Sequence, residues 1–204
     1  TLQEILNLSD TSNQVTVLRD IDDPVDIGSG WTELAPQVID DDTFRVYEQG
    51  AATLFVQERA PELDLNGADD AKIDFGAAYQ EDAAPVAIVD ADQTVADDGI
   101  LTSATASITN LLDGSDESIS VAVGDTGLQA SYDDATGTLT LSGPASPAAY
   151  QEVLRTLTYV NASQRPDTTD RSIEVSVTDG IFTSTVATST VTVEAVNDAP
   201  SISI

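Results

Sequence analysis

The chain has 204 residues and carries 36 acidic side chains against 7 basic ones, 7 − 36 = −29 in formal charge, with no Cys, no His and no Met. That composition excludes disulfides, zinc–thiolate and iron–sulfur sites, His-dependent catalysis and His-ligated metals. So negative a surface also repels phosphate backbones and anionic membranes, which leaves no expectation of nucleic-acid binding or direct membrane insertion.

Hydrophobic residues make up 41% of the chain and aromatic residues 5%. A real core is therefore expected, built mainly from Val, Ile, Leu and Ala. Two uses of the carboxylates stay open at this level. They suit a hard cation, calcium above all, which takes six to eight oxygen ligands, and they also keep a protein dispersed in high salt.

Taken in chain order, period-2 alternation dominates. Leu2 to Leu6 reads as a helical turn or a strand, and Gln14–Val17 as a short strand. Thr43–Tyr47 and Ala52–Val56 flank Glu48-Gln-Gly-Ala51 as a hairpin. The lone Trp31 is expected to plug the small core of this first segment. Glu58-Arg59-Ala60-Pro61 has linker character, because proline interrupts a ladder.

The second segment reads as about seven strands, among them Val86–Val89, Leu101–Thr109, Ile119–Val123, Leu128–Tyr132, Thr138–Leu141, Ile173–Val177 and Thr185–Val196. Gly137 closes the turn that starts at Asp133, at a position suited to positive φ. One helix is predicted after Ser146-Pro147, an N-cap followed by proline. Tyr150, Val153, Leu154 and Leu157 give it one apolar face, as a crossover between two strands. Asp97-Asp98-Gly99 and Asp113-Gly-Ser-Asp-Glu117 read as solvated turns. Threonines within Thr183–Thr192 fall on one strand face, as good strand formers do.

Asp64-Leu-Asn66-Gly-Ala-Asp69-Asp70 places oxygen ligands at alternate positions around a glycine, as the first half of a calcium loop does. A bidentate Glu at the twelfth position is missing, and an acidic turn between strands is the alternative.

Three stretches then combine: Tyr150 to Asn161 leading into Pro166-Asp-Thr-Thr-Asp-Arg171, Ile173 to Gly180, and Val193-Glu-Ala-Val-Asn-Asp-Ala-Pro200. With Ala83 to Asp92, they resemble the cadherin-like repeats of large bacterial RTX-type surface adhesins, over about residues 61–204. Residues 1–57, through Leu6 to Asp10, Trp31-Thr32 and Val46 to Leu54, more weakly resemble a small β module found ahead of such repeats.

The resemblance implies an all-β, Ig-like or cadherin-like Greek-key sandwich at 61–200 with one crossover helix. A β module at 1–60 would precede it, and 201–204 would begin the next repeat. It implies a non-enzymatic, calcium-stiffened spacer or adhesion module of a secreted bacterial surface protein acting in cell adhesion and biofilm. The expected partners are neighbouring repeats or subunits, and cell-surface or matrix glycans. Glu81, Asp170, Asn197 and Asp198 correspond to calcium ligands at the exit end; Asp90, Asp92 and Asp179 correspond to ligands at the entry end. Ser172 replaces a glutamate ligand, and Arg59 brings positive charge to the first junction, where no full calcium cluster is expected.

Three other functions stay open. One is a subunit of an extracellular filament or surface layer, with Ser201–Ile204 completing a neighbour's sheet. Another is a carbohydrate-binding module. Paired carboxylates acting on glycosides are the enzymatic option, poorly supported with one Trp available for sugar stacking.

Overall fold

The computed structural model describes residues 13–18, 25–67 and 72–197, and these form two compact units, Thr1–Ala60 and Pro61–Ile204. The chain segments Leu2–Leu6 and Ser201–Ile204 lie outside the described residues.

The first unit holds one four-stranded sheet of β1 (Gln14–Val17), β2 (Thr32–Ile39), β3 (Asp42–Gln49) and β4 (Ala52–Gln57), in the order β1-β4-β3-β2. Two tight hairpins set its register. Ile39 pairs with Asp42 across Asp40-Asp41, both at positive φ, and Gln49 pairs with Ala52 across Gly50-Ala51. Two consecutive positive-φ residues fit the right-handed twist of the flanking strands, and Asp tolerates that region.

The sequence pattern missed β2 because Pro36 stands in its middle. The strand accommodates it at the sheet edge, with a register shift between Leu34 and Gln37. Proline is confined to such edges and bulges because it cannot donate to the ladder. Trp31 is only partly buried, and the core cluster is Phe44, Val46 and Phe55 instead. The two phenylalanine rings meet edge to face, centroids 6.5 Å apart.

The second unit is an all-β sandwich with one short helix. Its larger sheet has six strands in the order β11 (Gln129–Asp133), β12 (Thr138–Ala145), β9 (Leu101–Ile108), β14 (Arg171–Thr178), β15 (Ala187–Glu194), β6 (Phe75–Gln80). The smaller has β10 (Glu117–Ser120), β13 (Thr158–Asn161) and β7 (Val86–Ala87), and a two-stranded ribbon pairs β5 (Glu62–Asp64) with β8 (Thr94–Ala96).

Strict alternation builds the core between the sheets. Ala104, Ala106 and Ile108 of β9, Ile173, Val175 and Val177 of β14, and Val191 and Val193 of β15 point inward, against Ile119 and Tyr159 of the smaller sheet. Outward positions on the larger sheet are mostly hydroxylated. Ser107 bonds Thr138 at 2.9 Å and Thr105 bonds Ser176 at 3.1 Å across strands. The threonine run of β15 belongs to this face, which the cross-strand hydroxyl pairs knit together.

Helix α1 (Pro147–Leu154) carries the chain from β12 in the larger sheet to β13 in the smaller one. Ser146 Oγ accepts the Ala149 N–H at 3.3 Å, the cap the sequence predicts. Tyr150, Val153 and Leu154 are buried, as is Leu157 just beyond the helix. Each such side chain contributes roughly 1.5–3 kcal/mol by leaving water.

Candidate functional site

Strand register sorts the acidic residues into two ends of the sandwich. At the exit end, β6 stops at Gln80 opposite Glu194 of β15, and β14 begins at Arg171 opposite Val191. Glu81, Asp170 and Asn197 follow or precede these strand ends. At the other end, β14 stops at Thr178 opposite Ser103 of β9, which places Asp179 near the start of β9.

Glu81 is the most constrained carboxylate of the exit end. Its residue is 3% exposed. Its N–H bonds the Glu194 carbonyl at 2.8 Å, and its Oε2 accepts the Val196 N–H at 2.7 Å. Its Oε1 is buried without a hydrogen-bond partner. A buried ionised oxygen with no partner is costly, and nearby positive charge offsets that cost. Asp82, at φ 62°, accepts a bond from Gln164 Nε2 at 2.9 Å. Asp170 is exposed, and its main chain is held by Asn110, whose Nδ2 donates to the Asp170 carbonyl and whose Oδ1 accepts the Ser172 N–H. Asn197 is exposed on the exit segment, and Asp198 lies outside the described residues.

A second polar assembly occupies this end. Asp113 and Glu117, read from sequence as a solvated turn, are instead drawn into a buried network around Arg171, which is 0% exposed. Arg171 Nε donates to Glu117 Oε1, Nη1 to the Thr169 carbonyl, and Nη2 to Asp113 Oδ2 at 2.7 Å and to the Asp167 carbonyl at 3.0 Å. Tyr159 Oη donates to Glu117 Oε1 at 3.0 Å, and Leu112 N–H to Glu117 Oε2 at 3.2 Å. Asn161 Nδ2 donates to Asp113 Oδ2 at 2.7 Å.

Burial alone would lower the Arg171 pKa, but the hydrogen bond and charge of Glu117 outweigh it and raise it. Burial, then the charge of Glu117, pushes the Tyr159 hydroxyl up, so it remains a donor. Tyr79 packs edge to face on Tyr159 at 5.5 Å and donates to the Asn161 carbonyl at 2.6 Å. Alternation held the missing signal: Arg171 shares parity with Ile173, Val175 and Val177, and Glu117 with Ile119.

The entry-end residues separate into two groups. Asp64 Oδ1 accepts the N–H groups of Asn66 and Gly67, at 2.9 and 3.0 Å, and so builds a turn. Leu65 accepts the Asp90 N–H at 2.8 Å, tying this turn to the Asp90–Asp92 loop. Gly67, at φ 69°, packs against Asp92 so closely that a Cβ would clash with it. Asp90 Oδ1 accepts the Asp92 N–H at 3.1 Å, and that bond holds its carboxyl below the usual range. Asp69 lies outside the described residues.

Asp179, 5% exposed, accepts the N–H groups of Ile181 and Phe182, both at 2.7 Å, through Oδ1. Asp97, expected in a solvated turn, is partly buried with its Oδ1 lacking a hydrogen-bond partner. Burial, and then the charges of Asp98 and Asp179, push its carboxyl up. Asp97 therefore has the carboxylates of both Asp98 and Asp179 as electrostatic neighbours. Even so, among the described residues no three acidic groups converge closely enough to hold a metal ion on their own.

The expected linker Glu58 is likewise structural. Its carboxylate accepts Arg45 Nε at 2.6 Å and Nη2 at 2.8 Å. Among the described residues, no helix is long and apolar enough to cross a membrane. A groove of about 350 Å³ lies beside Leu63, Ile73, Thr94 and Thr185. It gathers one carboxylate pair, Glu62 and Asp64, and no aromatic side chain.

No protein-family model and no curated protein matches the chain. Among solved structures, it is similar to the C-terminal BspA structure titled "BspA_C_mut", with 10% identity and a TM-score of 0.34. It is similar also to the C-terminal domain of the Streptococcus pyogenes antigen I/II-family protein AspA, at 12% identity and TM-score 0.29. The alignments cover 74% of this chain in both cases, and 54% and 53% of those chains, so this chain spans about half their length. Human mucin-like protocadherin EC1-2 is similar over 90% of this chain and 95% of its own, with 12% identity and TM-score 0.27. Likenesses this distant carry no argument about function.

Proposed function

We propose that the chain is a non-catalytic spacer and adhesion module of a secreted bacterial surface protein, stiffened by calcium where its sandwich meets the next module. The observation that carries this reading is Glu81. It is buried, it grips the exit segment through the Val196 N–H, and it keeps one oxygen without a partner. A divalent ion at that oxygen, shared with Asn197 and Asp198 of the exit segment and the exposed Asp170, would join the sandwich to whatever follows. When bound, calcium supplies a bridge between carboxylates that otherwise repel one another. Sites of this extracellular kind bind in roughly the 10⁻⁴ to 10⁻³ M range.

Calorimetric titration with calcium tests the proposal, with magnesium as the control. We expect millimolar-range binding that Glu81→Gln removes. Absence of heat with the wild-type chain would sink it.

A second reading, a subunit that assembles by strand addition, draws on β2. All eight of its residues are exposed and it ends its sheet. Its proline and register shift protect that edge against pairing, so the first reading is preferred.

A further inference from the structure

The carboxylates of Asp113 and Glu117 and the carbonyls of Asp167 and Thr169 converge on one point, the guanidinium of Arg171. Two carboxylates and two carbonyls are the hard-oxygen donor set that a calcium ion takes. Here a covalently attached cation fills it. Arg171 sits at a core-facing position of β14 with no exposed surface, so its head group cannot exchange with solvent as a metal does.

The anions around it are also complete. Glu117 accepts from Tyr159 and Leu112 besides Arg171, and Asp113 from Asn161 and from the Asp167 N–H at 3.1 Å. Neither carboxylate retains a buried oxygen without a partner, in contrast to Glu81. We propose that Arg171 is the resident cation of the exit end. Its single positive charge is shared between Asp113 and Glu117, hydrogen bonds from Tyr159, Asn161 and the Leu112 and Asp167 amides satisfy their remaining oxygens, and the sandwich closes there without metal. Any calcium then acts only at Glu81 and the exit segment. The Arg171 claim does not depend on calcium binding at Glu81, because different amides report the two.

Amide hydrogen exchange followed by NMR on the whole chain, in calcium and in chelator, separates them. The Leu112 and Asp167 amides report the network, and the Val196 amide reports Glu81. We expect Leu112 and Asp167 to keep the same protection in both conditions. Loss of their protection in chelator would overturn the proposal, whatever Val196 does. Arg171→Ala, which strands the buried Glu117 carboxylate and the partly buried Asp113, is expected to lower Tm by on the order of 10 °C. Millimolar calcium, entering the vacated donor set, should raise the variant's Tm by more than it raises that of the wild type. A variant that melts with the wild type, or gains no more from calcium than the wild type does, would contradict the assignment. Should Arg171→Ala fail to fold, the wild-type exchange experiment still decides, and Arg171→Lys, which retains the charge, is expected to fold.

Discussion

Single side chains divide the acidic surplus into groups with different physical situations. Asp113 and Glu117 share the charge of Arg171, and Glu58 pairs with Arg45. Asp64, Asp90 and Asp179 cap turns with their own oxygens. Glu81 and Asp97 each keep a buried oxygen without a partner. Asp97 yields a pH prediction whose sign can be worked out. Its folded pKa lies above the ordinary 3.8, through burial and then the charges of Asp98 and Asp179. The folded state therefore binds this proton more tightly than the unfolded state. The associated stability is full below the unfolded pKa and is lost as pH rises through the folded one. Asp97→Asn should accordingly raise Tm at neutral pH, with the gain shrinking as the pH is lowered toward 3.8. Thermal melts across that window check this, and an unchanged gap between variant and wild type at every pH would count against it. Glu81→Gln supplies an amide oxygen that can still accept the Val196 N–H but removes the charge. Its metal-free Tm should stay close to or above that of the wild type, while its calcium-dependent rise disappears.

At the level of elements, helix α1 shows what local chemistry decides. Ser146, Pro147 and the apolar spacing of Tyr150, Val153 and Leu154 all agree with the observed helix. Ser146→Ala removes the cap and should cost about 1 kcal/mol, a loss of roughly 2–4 °C in Tm, readable by calorimetry. Gly137, at φ 66° and against the Ile108 carbonyl, should tolerate alanine worse than Gly114, whose added Cβ meets nothing. Comparing the Tm of the two variants checks that order.

The strands with strict alternation, β9, β12, β14 and β15, were legible in the sequence because one face is buried and the other hydroxylated. Two kinds of element were not. Strand β6, Phe-Gly-Ala-Ala-Tyr-Gln, has too little hydrophobic contrast, and it is held by parallel pairing with β15, distant in sequence. Strand β2 was hidden by a proline that only an edge tolerates. The residues that resemble the bacterial repeats teach a similar lesson. Tyr159, Asn161 and Arg171 lie in the buried network, so much of that sequence pattern reflects packing around one guanidinium. Separating those roles required knowing that the start of β10, the end of β13 and the start of β14 meet at one end of the two sheets, which no spacing along the chain encodes.

For the whole molecule, the charge of −29 is carried by a fold whose larger sheet shows mostly uncharged hydroxyls outward. Among the described residues of the second unit, most carboxylates lie in turns and at the ends of the sandwich, such as Asp97, Asp98, Asp113, Asp134, Asp170 and Asp179. Such a distribution is expected to make stability rise with salt through screening of self-repulsion. Melts in sodium chloride measure that general effect, and they must be matched in ionic strength before any calcium effect is assigned. The proposed function stands on specific calcium binding at the exit end through Glu81. Its most direct test is calorimetric titration of calcium into the wild-type chain and Glu81→Gln at equal, physiological ionic strength. Binding in roughly the 10⁻⁴ to 10⁻³ M range is expected for the wild type and none for the variant. Equal heats from the two proteins, or none from the wild type, would contradict it.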